Sequence, residues 1–367
     1  MGMASEVYVD STVVWSHQAS PRSTWAMVEL VADGMRGVGE LSDGAPLDTL
    51  VAAARSMSSI VIGLPLGQAR SALRRRLEEL RAAGDAQGAF LWSTVLGGYE
   101  AAFADLLARL DGRALSTSLG LGEPRPVRLY ANLNRRYGGD GPDVIVAEAM
   151  HAASNGFPAL KVACFLDNHA RGLSGGRLID AGLDLVARVR EAIPSTVQLM
   201  VDCHHLVAAN LVDVSDRPAL EAAAATGLSL AAGEHIWDPE VAAAACATGA
   251  LQYWLADPKH AGGPAGVVRI AEAVEGVQLT FHNPSGPVGT AHAAHLAGLA
   301  GPTTWLEFGW GEADRTGFLE PAETVAAGFM QPTGPGIGCR PRGGPVTTTL
   351  TPSQTGVIHG DHVSNDR

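Results

Sequence analysis

The chain has 367 residues, a formal net charge of −12, 46% hydrophobic residues and only 17% charged ones. It is long enough to bury a large core, its composition excludes long disorder, and its acidity argues against a nucleic-acid partner, because phosphate binding needs a basic surface. No apolar run reaches the roughly 18 residues of a membrane helix, and MGMASEVYVDSTVVW lacks a basic stretch followed by an apolar one, so no membrane partner and cytoplasmic residence are expected.

In chain order, VYVDSTVVW and TWAMVELVADG predict strands, with Asp33-Gly34 as a turn. Residues 46–111 predict helices, including QARSALRRRLEEL and the stretch around Gly98–Leu110. Strands followed by helices point to an α+β domain rather than βαβ repeats. LGEPRPVR (121–128) carries two prolines and reads as a linker. From Val127 the rhythm changes. VRLYAN, ALKVACF and VQLMVDC predict strands, and DVIVAEAMHAASNG and AGLDLVARVREAI predict amphipathic helices. From 228 the strand and helix patterns alternate regularly to Leu306. The domain expectation is therefore an α+β cap over 1–125, joined by part of 325–350, a barrel over 126–324, and a poorly ordered tail at 351–367. Cys164, Cys203, Cys246 and Cys339 show no C-x-x-C pair and are expected to be reduced, incidental thiols.

Four polar residues mark the second half. Glu234, Asp257, His282 and Glu307 end the apolar runs LSLAAGE, LQYWLAD, VQLTFH and TTWLE, about 25 residues apart, the length of one β/α unit. A (β/α) barrel brings all its strand ends to one face, so these residues should meet in one pocket. Asp202 ends VQLMVD in the same way. Asp202 and Glu234 together make oxygen ligands for a hard divalent cation, Mg2+ or Mn2+. Asp257 beside His282 can fix the imidazole tautomer and raise its basicity, which suits a base for a weakly acidic C–H.

The segments VDCHH (201–205), LAAGEH (230–235), ADPKHAGG (256–263), HNPSGPVGTAHAAHLAG (282–298) and LEF (306–308) resemble the enolase superfamily, mandelate racemase/muconate lactonizing enzyme-like, and within it the acid-sugar dehydratases. TWAMVELVADG and GVGELSD (37–43) resemble that family's capping domain. The resemblance spans roughly residues 5–340. It implies an α/β fold, a modified TIM-type barrel with an N-terminal α+β capping domain, in a homo-oligomer. It also implies Mg2+-assisted removal of the α-proton of a small carboxylate substrate through an enediolate, most simply dehydration of a sugar acid. On this resemblance Asp202 and Glu234 are metal ligands, His282 is the base oriented by Asp257, and Glu307 sits near the substrate carboxylate. His204, in D-x-H, is the acid for a leaving hydroxyl, and His205 faces the other way. Lys161 falls where the family often has K-x-K, but Ala163 holds the second position. That weighs against a two-base racemase and for one-base dehydration. A racemase or cycloisomerase, or a degenerate homologue that only binds small acids, are the alternatives.

One departure stands out. From Asp202 to Glu234 is 234−202 = 32 residues, too long for one plain β/α unit and too short for two. The family's middle acidic ligand, in E-E-P or E-D-P, has no counterpart. Either a unit is missing or two are compressed, and Asp213 or Asp216 in LVDVSDRP is the candidate replacement ligand.

Overall fold

The computed structural model describes residues 6–21, 23–42, 45–134, 141–203, 214, 216–312 and 315–342. The N-terminal strands β1 (Ser11–Ser20), β2 (Ser23–Ala32) and β3 (Met35–Glu40) form an antiparallel sheet in that order. Asp33 and Gly34 join β2 to β3 with φ of 49° and 72°, the pair of positive values that a tight two-residue hairpin requires. Helices α1 (Leu47–Val61), α2 (Leu66–Ala83) and α3 (Ala86–Leu110) cover the sheet, and the short α4 (Leu115–Ser118) follows. Close contact between sheet and helix needs glycine. A Cβ on Gly37 would overlap the Ala102 carbonyl, and one on Gly39 the Gly98 carbonyl. With no side chain there, α3 settles onto β3, and Val28, Leu30, Leu50, Leu73, Tyr99 and Phe103 close a core.

The second region alternates strand and helix: β4 (Val127–Asn132), α5 (Pro142–Ser154), β5 (Ala159–Val162), α6 (Leu166–Ala170), α7 (Gly175–Ala192), β6 (Gln198–Val201), α8 (Arg217–Ala224), β7 (Ala231–Ala232), α9 (Pro239–Cys246), β8 (Tyr253–Ala256), α10 (Pro264–Ala273), β9 (Gln278–Phe281), α11 (Pro287–Leu296) and β10 (Trp305–Gly309). Helices α5, α8, α9, α10 and α11 each carry proline in the first turn, where its missing N–H costs nothing. The strands run parallel in the order β6-β5-β4-β10-β9-β8-β7. This is the expected modified barrel beneath an α+β cap. Among the described residues β6 and β7 have no strand between them, and Val201 at the β6 edge is 46% exposed. The 32-residue interval holds α8 as its one described helix.

Alternation sorts the barrel side chains. Leu129, Ala131, Leu160, Val162, Leu279, Phe281, Leu306 and Phe308 pack outward against helices. Their neighbours Tyr130, Ala159 and Trp305 gather inside with Met200. The period of two therefore sends Asn132, Lys161, Asp202, His282 and Glu307 inward at the strand ends.

After β10 come α12 (Arg315–Phe318), β11 (Leu319–Glu320), β12 (Val325–Ala326), β13 (Phe329–Met330) and β14 (Arg340–Pro341). The segment expected to rejoin the cap divides its contacts. β13 pairs with β12 and with barrel strand β4, whereas Ile337 and Cys339 pack with Val13, Trp15 and Trp25 of the cap. The expected tail at 351–367 lies outside the described residues. No described helix is long and apolar enough to cross a membrane. The four cysteines are free thiols.

Cap and barrel meet at two places. Strand β3 reaches α11: Val38 O accepts from His292 Nε2 at 2.8 Å, and Glu40 accepts from the Gly286 and Gly289 amides at 2.6 and 2.7 Å. Helix α3 meets the turn after β8: Ser93 Oγ donates to His260 O at 2.7 Å, and Thr94 Oγ1 lies 2.9 Å from His260 Nδ1. A Cβ on Gly97 would overlap the Lys259 carbonyl. Gly97→Ala should therefore lower the melting temperature: alanine gains about 1 kcal/mol of helix propensity, but the overlap costs about 1–3 kcal/mol. Gly67→Ala, where a Cβ meets open space, should leave it unchanged or raise it. Thermal unfolding of both variants checks the pair.

Candidate active site

Side chains on or just after six strands, β5 to β10, converge. Lys161 Nζ, from β5, lies 2.8 Å from Glu307 Oε1 at the middle of β10 and 3.2 Å from Asp202 Oδ2 after β6. His282, after β9, places Nδ1 2.9 Å from Asp257 Oδ2 and Nε2 3.9 Å from Glu307 Oε2. Glu234, after β7, is half-buried and acts on Lys161 and His282 through its charge. Asp202, Lys161, Glu307, His282 and Asp257 thus form one chain of contacts, with Glu234 beside it.

Glu307 is fully buried and well supplied with donors. Asn132 Nδ2 and Lys161 Nζ bond one oxygen; Tyr130 OH, at 3.0 Å, and the Asn283 amide, at 3.1 Å, bond the other. Burial alone would raise its pKa, but Lys161, His282 and these donors reverse that and hold it below the usual carboxylate value. Burial would likewise discharge Lys161, yet Glu307, Asp202 and Glu234 together hold the ammonium above its ordinary pKa. Lys161 is therefore a fixed cation inside the pocket rather than a strand-end lysine in solvent.

Asp257 is 1% exposed and its carboxylate is equally constrained. Oδ1 accepts from the Lys259 amide and from Lys259 Nζ, both at 2.9 Å. Oδ2 accepts from Lys259 Nζ at 2.8 Å and from His282 Nδ1–H. Burial opposes its charge; Lys259, His260 and His282 win, and its pKa falls far below the ordinary range. Losing one partner of such a pair would cost about 3–5 kcal/mol. His282 loses basicity through burial but regains more from Glu307, Glu234 and Asp257, so its pKa lies above the ordinary 6.5. An imidazole with Nδ1–H tied to a carboxylate presents Nε2 as a proton acceptor.

Some expected residues fall elsewhere. Asp216 caps α8, accepting from the Ala219 amide at 3.1 Å. His204, His205 and Asp213 lie outside the described residues. Ala163, in the second K-x-K position, is fully buried. Other contributors were not singled out from sequence. Tyr130 and Asn132 on β4 hold Glu307, Asn134 Nδ2 holds Asp202 Oδ2 at 3.1 Å, and Lys259 holds Asp257. The strand-end rule that found the other residues applies equally to VRLYAN, so Asn132 was within reach; Lys259 lies one turn past its strand, where that rule is silent.

Among the described residues no group of three or more His, Cys, Asp or Glu side chains could hold a metal. What stands there is the carboxylate pair Asp202 and Glu234. Magnesium commonly takes one or two carboxylates and completes its octahedron with water and substrate oxygens. Around Lys161 three carboxylates, Glu307, Asp202 and Glu234, face one ammonium. The oxygen donors and this surplus of negative charge suit a divalent cation.

Comparison with known proteins agrees with this architecture. Residues 211–343 match the family model described as Enolase C-terminal domain-like. D-galactonate dehydratase of Xanthomonas oryzae pv. oryzae (strain PXO99A) is 25% identical over 304 residues, 76% of each chain. A mandelate racemase/muconate lactonizing enzyme-like protein from Rubrobacter xylanophilus DSM 9941 superposes with a TM-score of 0.76 at 24% identity, over 92% of this chain and 96% of that one. A member of the enolase superfamily from Salmonella Typhimurium gives a TM-score of 0.77 at 20% identity, over 92% and 96%. Residues 211–343 thus carry an Enolase C-terminal domain-like match, and the cap-and-barrel fold of the whole chain is the one these structures share.

Proposed function

We propose that this chain is a lyase that removes the α-proton of a small carboxylate substrate and expels the β-hydroxyl, dehydrating a sugar acid or a related hydroxy acid. The observation that carries the reading is the His282–Asp257 pair at 2.9 Å, with Nε2 directed toward the Glu307–Lys161 pair in the same pocket. The dehydratase similarity over 304 residues supports the substrate class.

Each residue has a task set by its surroundings. His282 Nε2 takes the α-proton, and Asp257 steadies the resulting imidazolium. Lys161 offers a fixed positive charge to the negative charge that develops on the substrate carboxylate. Glu307, ionised and saturated with donors, holds Lys161 in place, so its part is to position the cation. Asp202 and Glu234 would hold Mg2+ or Mn2+, which when bound supplies a Lewis acid for the substrate carboxylate. His204 is our candidate for the proton that leaves with the hydroxyl as water; the enol that remains becomes a 2-keto acid. Ala163 supplies no side chain able to act as a second base, which favours elimination over racemisation or cycloisomerisation. The pairing of only two described carboxylates favours one other reading, a homologue that binds small acids without turning them over.

His282→Asn should slow exchange of the substrate α-hydrogen with deuterated solvent by about 10²–10⁴-fold, while calorimetric Mg2+ affinity is unchanged. Wild-type exchange rates in the variant would remove His282 from the mechanism.

The pH profile follows from the sign of the His282 shift. The base works as neutral imidazole, and its pKa is raised, so kcat/KM should climb with pH through a midpoint above 6.5 and fall off on the acid side. An acid limb that persists unchanged in the residual activity of His282→Asn would contradict the assignment.

Metal binding should be weak, because two carboxylates leave most of the octahedron to water. Asp202→Asn and Glu234→Gln should each weaken Mg2+ binding further in a calorimetric titration. Asp213→Asn separates two cases: a sharp loss of affinity makes Asp213 the third ligand, and tight binding indifferent to all three substitutions would disprove the site.

A further inference from the structure

Lys259 stands out because the chemistry proposed above does not use it, yet it is 3% exposed and bonded to both oxygens of the carboxylate that orients the base. A buried lysine is costly to keep charged, and this one lies under the cap, its carbonyl against Gly97 and its charge felt by Glu40. From the geometry we infer that Lys259 is a positioning residue for the reaction: it locks the Asp257 carboxylate, fixes His282 as the Nδ1–H tautomer, and limits how strongly Asp257 can raise the basicity of Nε2.

The argument runs through the lone pairs of Asp257. The Lys259 amide and Nζ take Oδ1; Nζ and His282 Nδ1 share Oδ2. A carboxylate gripped on both oxygens cannot rotate away, so His282 always meets an acceptor at Nδ1. His260 Nε2 is 3.7 Å from the same Oδ2, and burial keeps that ring neutral, its pKa lowered to about 3. A bare carboxylate would hold the imidazolium tightly and leave a base still protonated near neutrality. Lys259 offsets that carboxylate charge at 2.8–2.9 Å, so the imidazole is free to act at lower pH. The other charged or titratable groups facing His282 are Glu307 from β10, Glu234 and His235 from the segment after β7, and His260 from the turn after β8. None of them bonds both oxygens of Asp257. The cap enters this chain as well, since Ser93, Thr94 and Gly97 of α3 hold the turn that carries Lys259.

This inference rests on the reading of His282 as the base, and its test is kept apart from turnover. In full-length protein with Mg2+ added and histidine labelled with 15N, the His282 ring signals, assigned by their loss in His282→Asn, report tautomer and titration midpoint directly. The wild type should show Nδ1–H with Nε2 unprotonated above the midpoint; the opposite tautomer overturns the proposal without any variant at Lys259. Lys259→Met should raise the midpoint by about one pH unit, because the compensating charge is gone. Lys259→Arg, which keeps the charge, should stay nearer the wild type than Lys259→Met. If Lys259→Met does not fold, Lys259→Gln supplies the same comparison. An unchanged or lowered midpoint in a folded neutral variant shows that Lys259 merely fills space. Absence of turnover in the wild type would overturn the dehydratase reading but not these ring titrations.

Discussion

The carboxylate of Asp257 is the constraint on which the site depends. It is buried, ionised and shared between one ammonium, one amide and one imidazole. A charge so placed is tolerable only if every lone pair is satisfied, and the partners come from two places in the fold. The imidazole comes from the neighbouring strand end. The ammonium and amide come from a turn that α3 of the cap presses into place through Gly97. Cap packing, barrel register and the orientation of His282 therefore meet at one group.

Glu307 is the matching anchor across the pocket. It draws on Tyr130 and Asn132 of β4, Lys161 of β5 and the Asn283 amide after β9, so it ties the last barrel strand to the first. The register that pairs Glu307 with Tyr130 makes this possible. His282 lies between the two anchors and Lys161 on the far side of Glu307; in the proposed reading they are the base and the cation that α-proton removal from a carboxylate needs. Asp202 and Glu234 follow β6 and β7, which among the described residues have no strand between them.

Much of this was legible in the chain. The strand-ending positions of Glu234, Asp257, His282 and Glu307 follow from two periodicities, 25 residues for the β/α unit and two for the strand, and both are local properties of sequence. The unusual length of the interval between Asp202 and Glu234 was also legible, but residues 204–213 and 215 lie outside the described residues. What sequence pattern could not supply was partnership. Lys259 sits three residues past the end of β8, where backbone turn geometry rather than alternation decides its direction. No strand pattern marks the partners of Glu40, which accepts from the amides of Gly286 and Gly289 at the start of α11. Asp216, a plausible ligand by proximity in sequence, proved to be a helix cap. These depend on which surfaces the fold brings together, and a period cannot encode that.

The central claim is that this pocket performs elimination on a hydroxy acid. The most direct measurement incubates the wild-type chain with a panel of sugar acids and related hydroxy acids in deuterated buffer with abundant Mg2+, and follows 2-keto acid formation. The account predicts that at least one acid yields a 2-keto product by loss of one water. A panel with neither 2-keto product nor deuterium at the substrate α-carbon would contradict it.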